Sequence, residues 1–452
     1  MTEVSTQRLD AGTSEAQQRR VAGSLRAAGL RAGDRMVLAV PACAELLSAA
    51  IGAARAGIVP VMLNPALTPA EMAELIDDAD PAAVVDSRAA LADLLEGPPD
   101  DLAEVPRCRP MHYTSGTTGR PKGVWSGVLS DEDAVALFAD EADLWGFGAD
   151  DVHLVCSPLY HSAPLRFSTA VLLRGGSVVV LGRFDPAAVV DVVNTHQPTT
   201  AFMVPTHLQR LTASADGPAA LDGADLSSFR LLAHAGEPCP GSLKREVMDR
   251  FPAGAVWEFY GSTEGQFTVC SPEEWLARPG TVGRARPGRR LEVEDGVIWC
   301  EAPSFAAFSY WRDDDKTASA WRGRPGGARA FSVGDLGRLD DDGYLWVDGR
   351  RDDLIISGGV NVYPAEVEAA LSSVPGVVEI AVFGVADARW GQRVCAAVIG
   401  SADPEELRRR AAVSLAGYKR PKDIYVVDDL PRTGTGKVRR ARVAAFLGLE
   451  PA

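Results

Sequence analysis

The sequence predicts an α/β protein with a large N-terminal domain of layered α/β sheets, a small β-rich part of that domain, and a small α+β C-terminal domain. Three observations support this prediction. Helix-like and strand-like apolar segments alternate from Val21 onward. After Thr281 the pattern changes to short strands and tight turns, and a separate unit of helices and strands follows Gly349. The length of 452 residues also exceeds what one hydrophobic core usually organises.

The large domain begins with alternating helices and strands, each ended by Gly, Pro or Asn. This alternation is typical of parallel strands with helices packed on their faces. The predicted elements, in chain order, are the helix VAGSLRAAG, the strand RMVLAV, the helix CAELLSAAIGAARAG, the strands IVPVML, DVHLVCSPL and GSVVVL, a helix at 186–194, the strands FMVP and FRLLAHAG, a helix with Leu243, Val247 and Phe251 on one face, and the segment VWEFYGSTEG.

The later part of the chain has shorter elements. Segments 292–300, 340–343 and 344–348 are predicted to form β-hairpins with tight turns. The C-terminal unit has about 100 residues, a usual size for a domain, so we predict domains at 1–351 and 352–452. Its predicted elements are the strand LIIS, the helix PAEVEAAL, the strands VVEIAVFGV and RVCAAVIG, the helix PEELRRRAA and the strand DIYVV.

The composition is that of an ordinary globular protein, with 46% hydrophobic and 24% charged residues. A formal net charge of −15 and a pI near 5.0 argue against nucleic-acid binding, because contact with phosphate backbones needs a basic face. No stretch reaches the roughly 18 apolar residues that span a bilayer, and the start has no apolar signal segment. We therefore expect no membrane span and a cytoplasmic location.

The 7 cysteines are scattered without CxxC spacing, which favours reduced thiols over disulfides or a zinc site.

The segment YTSGTTGRPKGV at 113–124 has the residue types of a phosphate-binding loop. Glycines allow tight turns, so successive N–H groups can converge on phosphate oxygens, while hydroxyl and ammonium groups add donors. The Walker pattern is absent, because Lys122 lies between Pro121 and Gly123. A polar surface loop is the alternative interpretation. The candidate phosphate ligands are Thr114, Ser115, Gly116, Thr117, Thr118, Gly119 and Lys122.

Further motifs follow in order along the chain: YGSTEG at 260–265, GDLGR at 334–338, GRRDDLIISGGVNVYPAEVE at 349–368 and PRTGTGK at 431–437. With these motifs the chain resembles the adenylate-forming superfamily of acyl- and aryl-CoA synthetases, adenylation domains of peptide synthetases and beetle luciferases. Within this superfamily, the sequence is most similar in its motifs and organisation to stand-alone fatty-acid and aryl-acid CoA ligases. The resemblance implies a layered α/β domain followed by a small mobile C-terminal domain.

The resemblance implies a nucleotide site made from several motifs. The loop that ends at Lys122 would hold the β- and γ-phosphates, Thr263 would contact the α-phosphate, and Glu264 would hold magnesium, which prefers oxygen ligands. A helix cap is the alternative role for Thr263 or Glu264, and an ordinary strand-end turn is the alternative for 236–238. The residues implied around adenine are Gly236, Glu237, Pro238, Tyr260 and Gly261.

Two further positions concern the ribose and the hinge. By resemblance, Asp335 would accept hydrogen bonds from both ribose hydroxyls, and Arg350 would support the same sugar. A structural salt bridge between Asp335 and Arg350 is the alternative. Asp352 occupies the family's hinge position, where the small domain swings between two poses.

Lys437 is the residue that we expect to be most important for the first reaction step. It lies in a Gly-rich loop, TGTGK, that can carry an ammonium group into a cleft, where a cation stabilises charge as the acid attacks the α-phosphorus. A solvated lysine is the alternative. By resemblance, Ser357, Gly358 and Gly359 would line the tunnel of a thiol after the domain rotates, because small residues let a pantetheine arm pass close to the backbone.

The resemblance places His161, His207, His234 and Ala235 around the acyl group of the substrate. His161 would shape or gate this pocket, and a packed or capping histidine is an equal alternative. Arg166 has two interpretations. It would contact an anion of a polar substrate, or it is a surface arginine, which we favour from the sequence.

The chain departs from the family's pattern in two respects. Only 112 residues precede Tyr113, fewer than in most members, and we expect strands and a helix to be lost from segment 86–110. This casts doubt on part of the N-terminal sheet and on the pocket wall that it supports. A carrier-protein attachment motif is absent, since Gly241-Ser242-Leu243 lacks a preceding acidic residue. We therefore expect a stand-alone enzyme.

These observations predict an ATP-dependent acid:CoA ligase, which forms an acyl-adenylate with release of pyrophosphate and then a thioester with CoA. The expected catalytic residues are Lys437, Glu264, Thr263 and Lys122, with ATP and Mg²⁺ as cofactors and CoA as second substrate. One alternative is an adenylate-forming enzyme with another acceptor, such as a carrier protein, an amine, or nitrite activated to diazotise an aromatic amine. A second is a non-catalytic AMP-binding protein, which the intact charged residues disfavour. The sequence is compatible with a homodimer and does not determine the oligomeric state.

Overall fold

A computed structural model of the chain describes residues 4–114, 121–213, 219–350, 353–358, 360–387, 389–433 and 437–451. Strands and helices are numbered along the chain. The described helices are α1 (Ala11–Ala27), α2 (Ala44–Arg55), α3 (Pro69–Ala79), α4 (Arg88–Leu94), α5 (Asp131–Trp145), α6 (Ser162–Leu173), α7 (Pro186–His196), α8 (Pro205–Thr212), α9 (Gly241–Arg250), α10 (Pro272–Ala277), α11 (Asp314–Ala320), α12 (Pro364–Leu371), α13 (Pro404–Ser414) and α14 (Val443–Phe446).

Two mostly parallel sheets form the centre of the large domain. The first has the strand order β1-β8-β7-β9-β10-β11, in which only β1 is antiparallel to its neighbour. Its strands are β1 (Thr6–Asp10), β7 (Val152–Val155), β8 (Ser177–Leu181), β9 (Thr200–Met203), β10 (Leu231–His234) and β11 (Val256–Glu258). Their apolar residues are buried on both faces, as expected when helices cover a parallel sheet on each side.

The second sheet has the order β16-β6-β5-β3-β2-β4, with β4, β2, β3 and β5 parallel. Its strands are β2 (Arg35–Leu38), β3 (Val59–Met62), β4 (Ala83–Val85), β5 (Met111–Thr114), β6 (Lys122–Trp125) and β16 (Ser309–Tyr310). The doubt about this sheet was wrong, because segment 86–110 contains α4 and leaves four parallel strands side by side.

The main core lies between the two sheets and includes residues of α1, α2 and α6. Val178 and Val180 of β8 point into this core, whereas Val179 points to the opposite face, where α7, α8 and α9 pack. This alternation follows from the period of two in a β-strand. It also decides which side chains at the strand ends reach the site described below.

Helix starts in the large domain follow capping residues. Asp10 accepts a hydrogen bond from the backbone N–H of Thr13 at the start of α1, and Asp185 does the same for Ala188 at the start of α7. Helix α5 ends at Gly146, whose φ of 59° is the left-handed conformation that glycine adopts readily. Local sequence therefore sets these boundaries.

The β-rich part packs against the second sheet through β16. Its sheet has the order β17-β18-β15-β19-β20, with β14 also paired to β15. The strands are β14 (Arg290–Glu294), β15 (Val297–Glu301), β17 (Trp321–Gly323), β18 (Arg329–Phe331), β19 (Asp335–Leu339) and β20 (Leu345–Arg350), beside the pair β12 (Thr268–Val269) and β13 (Arg284–Ala285). The predicted hairpin strands are present, and the turn at 340–343 joins β19 to β20.

The C-terminal unit is a sheet with helices on its faces. The strand order is β22-β21-β24-β23, and β25 pairs in parallel with β24. Its strands are β21 (Ile355–Ser357), β22 (Val360–Val362), β23 (Val377–Asp387), β24 (Gly391–Gly400) and β25 (Asp423–Val427). Helices α12 and α13 cover one face, and α14 covers the other. The predicted fold class is thus confirmed, although β1, α3 and α5 were not predicted. In the ranges that the structure describes, no helix is both long and apolar enough to cross a bilayer.

Candidate functional site

A cleft opens where the parallel strands of the first sheet end. Its walls come from the segments that follow β7, β9, β10 and β11, and the C-terminal unit closes one side. Ser157, Val204, Ala235 and Gly261 represent these four segments. Ligands of open α/β sheets commonly bind at the carboxyl ends of the strands, so this is the expected place for a site.

Lys437 enters this cleft from the C-terminal unit. Its ammonium group donates a hydrogen bond to the carbonyl oxygen of Gly236 at 3.4 Å. Gly236 has a φ of 92°, which lets the backbone turn sharply after β10 and present that carbonyl. The surrounding protein removes hydration from the ammonium group and, with the charge of Arg350, lowers the pKa of Lys437. The predicted catalytic lysine therefore lies beside the predicted adenine-site loop.

The rest of that loop also lines the cleft. Glu237 accepts hydrogen bonds from the backbone N–H and the hydroxyl group of Thr206 at 3.3 and 2.8 Å, which ties the loop to the start of α8. Pro238 is a further lining residue, as are Gly261 and Thr263 from the segment after β11. The cleft thus brings together two motifs that are more than twenty residues apart in sequence.

Asp335 lies at the start of β19 between two partners. The hydroxyl group of Tyr260 donates to its Oδ2 atom at 2.6 Å, and Nε of Arg350 lies 3.3 Å from its Oδ1 atom. Burial raises the pKa of Asp335. Oδ1 is buried and accepts no hydrogen bond from the described residues. The salt bridge expected as an alternative is present, and the Oδ1 atom of Asp335 still has lone pairs that no hydrogen bond from the described residues uses.

Glu264 is held from two sides. Its Oε1 atom accepts a hydrogen bond from the hydroxyl group of Tyr310 at 2.9 Å. Arg109 donates to the backbone carbonyls of Glu264 and Thr263 at 3.2 and 2.7 Å. Lys122 completes the group, because its ammonium nitrogen lies 5.8 Å from the ring centre of Tyr310 and 3.5 Å from Asp313. The predicted metal ligand and the predicted phosphate-loop lysine are therefore linked through one tyrosine.

Strands β5 and β6 form an antiparallel hairpin that carries the phosphate-loop motif. Thr114 is paired with Lys122 across this hairpin. The predicted ligands Ser115, Gly116, Thr117, Thr118 and Gly119 lie outside the described residues, as do the predicted hinge Asp352 and the tunnel residue Gly359. Ser357 is buried, and Gly358 has a φ of 61°. Neither of these two lines the cleft.

The histidines predicted for the acid pocket separate into two groups. His161 and His207 line the cleft, and Ala235 lies beside them. Burial, and for His161 also the charge of Lys437, lowers the pKa of each imidazole to about 4. His207 stacks on Phe184 with ring centres 4.0 Å apart. Both histidines are therefore neutral at neutral pH and act as packing or hydrogen-bonding groups.

His234 does not reach the cleft, and its predicted place in the acid pocket is corrected here. It is the last residue of β10 and is fully buried. Its neighbours Ala233 and Ala235 point into the main core on the cleft side, whereas Leu232 faces α7 to α9. Because side chains alternate along a strand, His234 shares the face of Leu232.

The preference for a surface position of Arg166 was also wrong. Its side chain is 24% exposed, and its Nε atom lies 3.0 Å from Oε1 of Glu141. Arg166 lines the cleft, so the sequence argument from average exposure failed at this position. Tyr310, Arg109 and Glu141 were missed altogether. Arg109 could have been suspected, because it is a charged residue four positions before Tyr113. No local sequence pattern indicates a role in the site for Tyr310 or Glu141.

Acid should destabilise the fold through its buried histidines. Burial lowers the pKa of His112 and His153 to about 3 and that of His161 and His207 to about 4. Unfolded histidines titrate near 6.5, so the unfolded state binds more protons below that pH. Stability present above about pH 6.5 is then lost as the pH falls, by about 1.4 kcal/mol per histidine and pH unit.

Urea unfolding at about pH 7.5 and about pH 5.5 measures this loss. His153 contacts Thr200 at 2.9 Å, away from the cleft, so its substitution tests the titration without altering the site. His153→Gln should reduce the difference between the two pH values. Equal stability at both pH values in the unaltered protein would contradict the expectation.

Known proteins are similar to this chain over nearly its whole length. The sequence model of the AMP-binding enzyme family matches residues 5–297, and that of the AMP-binding enzyme C-terminal domain matches residues 366–437. The chain is 32% identical to indoleacetate–CoA ligase of Aromatoleum aromaticum, over 93% of this chain and 90% of that protein. It is 34% identical to feruloyl-CoA synthase of Amycolatopsis sp, over 95% and 92%. The ATP-bound structure of MatB from Rhodopseudomonas palustris superposes with a TM-score of 0.80, at 32% identity over 95% and 91% of the two chains.

Proposed function

Because the chain belongs to the AMP-binding enzyme family, within the adenylate-forming superfamily, we propose a role for each residue of the cleft in the reaction of an AMP-forming acid:CoA ligase. The enzyme activates a carboxylic acid with ATP, releases pyrophosphate, and transfers the acyl group to CoA. The contact between Lys437 and Gly236 carries the proposal, because it joins the C-terminal unit to the strand-end loop of the large domain. The assignment of single residues rests on the geometry described above.

In the first step, an oxygen of the acid attacks the α-phosphorus of ATP and pyrophosphate leaves. Negative charge then grows on the phosphate oxygens, and a positioned cation stabilises it. Lys437 supplies this cation, and Thr263 contacts the α-phosphate. Lys122 and the loop from Thr114 to Gly119 hold the departing phosphates. Asp335 and Arg350 hold the ribose, with Oδ1 of Asp335, which accepts no hydrogen bond from the described residues, as acceptor.

The residues around Glu264 fit a magnesium ion. Magnesium in nucleotide enzymes is commonly bound by one or two carboxylates together with substrate phosphates. Glu264 is a buried carboxylate that follows Thr263 and contacts Tyr310, whose ring Lys122 also approaches, and no cluster of three or more metal-binding side chains occurs within the described ranges. A single carboxylate next to a phosphate loop is therefore suited to this ion. When bound, magnesium would neutralise phosphate charge, while Tyr310 and Arg109 keep the carboxylate in place.

Tyr310→Phe should weaken the response to magnesium without abolishing activity. The substitution removes the hydrogen bond that orients Glu264, and one such bond contributes about 0.5 to 1.5 kcal/mol. The magnesium concentration for half-maximal pyrophosphate release should therefore rise by roughly 2- to 10-fold. The control is Tyr344→Phe, which removes a similar bond to Glu274 in the β-rich part. An unchanged magnesium dependence in Tyr310→Phe would reject the positioning role.

In the second step, the thiol of CoA attacks the acyl carbon and AMP leaves. Ser357, Gly358 and Gly359 remain the proposed lining of the thiol tunnel, and Asp352 remains the proposed hinge between domains 1–351 and 352–452. Ile356 and Val360 beside these glycines are 50% and 42% exposed. Exposed apolar side chains there support a second pose in which this hairpin is covered.

The function is tested by pyrophosphate release from ATP and magnesium with aliphatic, aromatic and small inorganic acids, with and without CoA. We expect a carbon acid to trigger release, CoA to accelerate it, and the thioester to be detected by mass spectrometry. Release without a thioester would assign the acyl group to another acceptor, namely a carrier-protein thiol or an amine. Release with nitrite alone would favour diazotisation. A homodimer and a cytoplasmic location remain proposals, which light scattering and cell fractionation test.

A further inference from the structure

Two adjoining spaces meet beside the proposed reaction centre. One is the cleft that Lys437 enters, and the other is a cavity inside the large domain. Ser162, Arg166, Thr263 and Gln266 line both spaces. An acid whose reacting carboxylate lies near Thr263 can therefore extend past Arg166 toward the inner cavity.

The wall of the inner cavity combines apolar side chains with guanidinium groups. Ile51, Leu137 and Leu165 are among its apolar residues, and Arg109 and Arg289 line it together with Arg166. Carbon chains or rings pack against the apolar wall, and anions pair with guanidinium groups. The wall thus suits a molecule that is apolar in the middle and negatively charged at its end.

Positive charge exceeds negative charge around this cavity. Arg286 and Arg289 both pair with Asp140, at 3.0 and 2.6 Å. Arg166 shares Glu141 with Arg286, whose distance to that carboxylate is 3.5 Å. The carboxylates of Asp140 and Glu141 are therefore shared among three arginines, and Arg109 is a fourth. This excess occurs in a chain whose formal net charge is −15, so overall composition does not explain it.

Arg109 adds a further cation whose observed partners are uncharged. Its terminal nitrogens donate to the backbone carbonyls of Thr263 and Glu264, and no ion pair to a carboxylate of the described residues accompanies them. Burial, followed by the charge of Arg166, lowers the pKa of Arg109 to about 10. The charges of Glu264 and Glu141 offset part of this effect without forming an ion pair with Arg109, and a bound anion would add a direct charged partner.

Arg166 is available for such an anion. Its Nε atom faces Glu141, whereas its terminal nitrogens make no hydrogen bond to another described residue. Burial would raise the pKa of Glu141, but the charges of Arg166 and Arg286 outweigh it and keep that carboxyl ionised. Glu141 also accepts a hydrogen bond from Trp145 at 3.1 Å. Arg166 is thus placed by Glu141 and by the ring of Phe259, whose centre lies 5.9 Å from the guanidinium carbon, and it lines both spaces.

We propose that the enzyme selects an acid with a second anionic group, in its simplest form a dicarboxylic acid, and that Arg166 and Arg109 bind the group that does not react. This inference rests on the proposed function, since the first carboxylate is the one that attacks ATP. Arg166 acts here as a residue that determines specificity. A monocarboxylic acid of the same length offers these two guanidinium groups no second anionic group and binds more weakly.

The test compares pairs of acids in the pyrophosphate assay: succinate with butyrate, glutarate with pentanoate, and phthalate with benzoate. We expect at least one dicarboxylate to exceed its partner in kcat/KM by about tenfold or more, since a charge-assisted hydrogen bond is replaced by an apolar end. Arg166→Met should lower kcat/KM for that dicarboxylate by roughly 10- to 100-fold and leave the KM for ATP and the value for the monocarboxylate unchanged. Arg166→Lys, which keeps the charge, should retain part of the preference.

Arg250→Met is the matched control. Arg250 is also a half-buried helical arginine with two carboxylate partners, Asp222 and Glu246, but it lines neither space. The Arg250→Met variant should keep the preference of the unaltered enzyme for the dicarboxylate. Preference for the monocarboxylate in every pair, or an equal loss for both acids in Arg166→Met, would overturn the proposal.

Calorimetric titration separates this proposal from the proposed function. Succinate and butyrate are titrated into the unaltered protein and into Arg166→Met. If no acid releases pyrophosphate, the proposed function fails, yet tighter binding of succinate that is lost in Arg166→Met would still support the anion site. Equal binding of both acids, or binding of neither, would overturn it.

Discussion

Lys437→Ala should reduce acyl-adenylate formation by about 10² to 10³-fold, because one positioned charge or donor at a developing oxyanion contributes about that much. The side chain reaches across from the C-terminal unit to within 3.4 Å of the carbonyl oxygen of Gly236. Alanine removes the cation and leaves the cleft walls unchanged. Thioester formation from a supplied acyl-adenylate should persist, since the charge acts on the α-phosphate of ATP during attack.

Pyrophosphate release measures the first step, and thioester formation from synthetic acyl-adenylate measures the second. Lys422→Ala is the control, because Lys422 belongs to the same C-terminal unit, contacts the carbonyl oxygen of Gly417 at 3.0 Å and the ring of Trp390, and does not line the cleft. It should leave both steps unchanged. Equal loss of both steps in Lys437→Ala would refute its assignment to adenylation and indicate a structural role.

Glu264→Gln should cause the second large loss, again by about 10² to 10³-fold in pyrophosphate release at fixed magnesium. Glutamine has nearly the same shape and still accepts the hydrogen bond from Tyr310, so the fold around the cleft is preserved. The substitution removes only the negative charge that would hold a divalent cation. Nucleotide binding without magnesium should therefore change little.

Titration with magnesium distinguishes this loss from general damage. We expect Glu264→Gln to need far more magnesium than the unaltered enzyme, or to show no response. Glu274→Gln supplies the comparison, because Glu274 also accepts a hydrogen bond from a tyrosine, Tyr344, but lies in the β-rich part. A Glu264→Gln enzyme with full activity and an unaltered magnesium response would show that the metal is held elsewhere.

Most of the fold followed from local patterns in the sequence. Buried runs such as SVVVL at β8 and capping residues such as Asp185 at α7 determine strands and helices within a few neighbouring residues. The order of the motifs from YTSGTTG to PRTGTGK then indicated the family and the fold class. Short or strongly polar elements were missed: β1 lies at the sheet edge, and α5 begins with the acidic run Asp131, Glu132 and Asp133.

The site was only partly predictable, because side-chain direction depends on packing. His234 and Ala235 are adjacent in sequence, yet Ala235 faces the cleft and His234 faces the opposite core. A shift of one residue along a strand exchanges the two faces, and the motif does not determine which face the helices cover. Arg166 was misjudged for a related reason. Its exposure is low because Glu141, from another helix, packs against it.

By itself, the sequence determined the family, the layered α/β class, and the positions of Lys437, Glu264, Thr263 and Asp335, since these lie in motifs whose spacing is local. Only the tertiary structure decided what surrounds them. Tyr310 is 46 residues from Glu264, and Arg109 is 154 residues from Thr263, yet each pair is in hydrogen-bond contact. Such contacts depend on how separate sheets pack together, and a local pattern carries no record of that packing. The excess of positive charge around the inner cavity, on which the proposed choice of acid rests, was likewise decided by the tertiary structure.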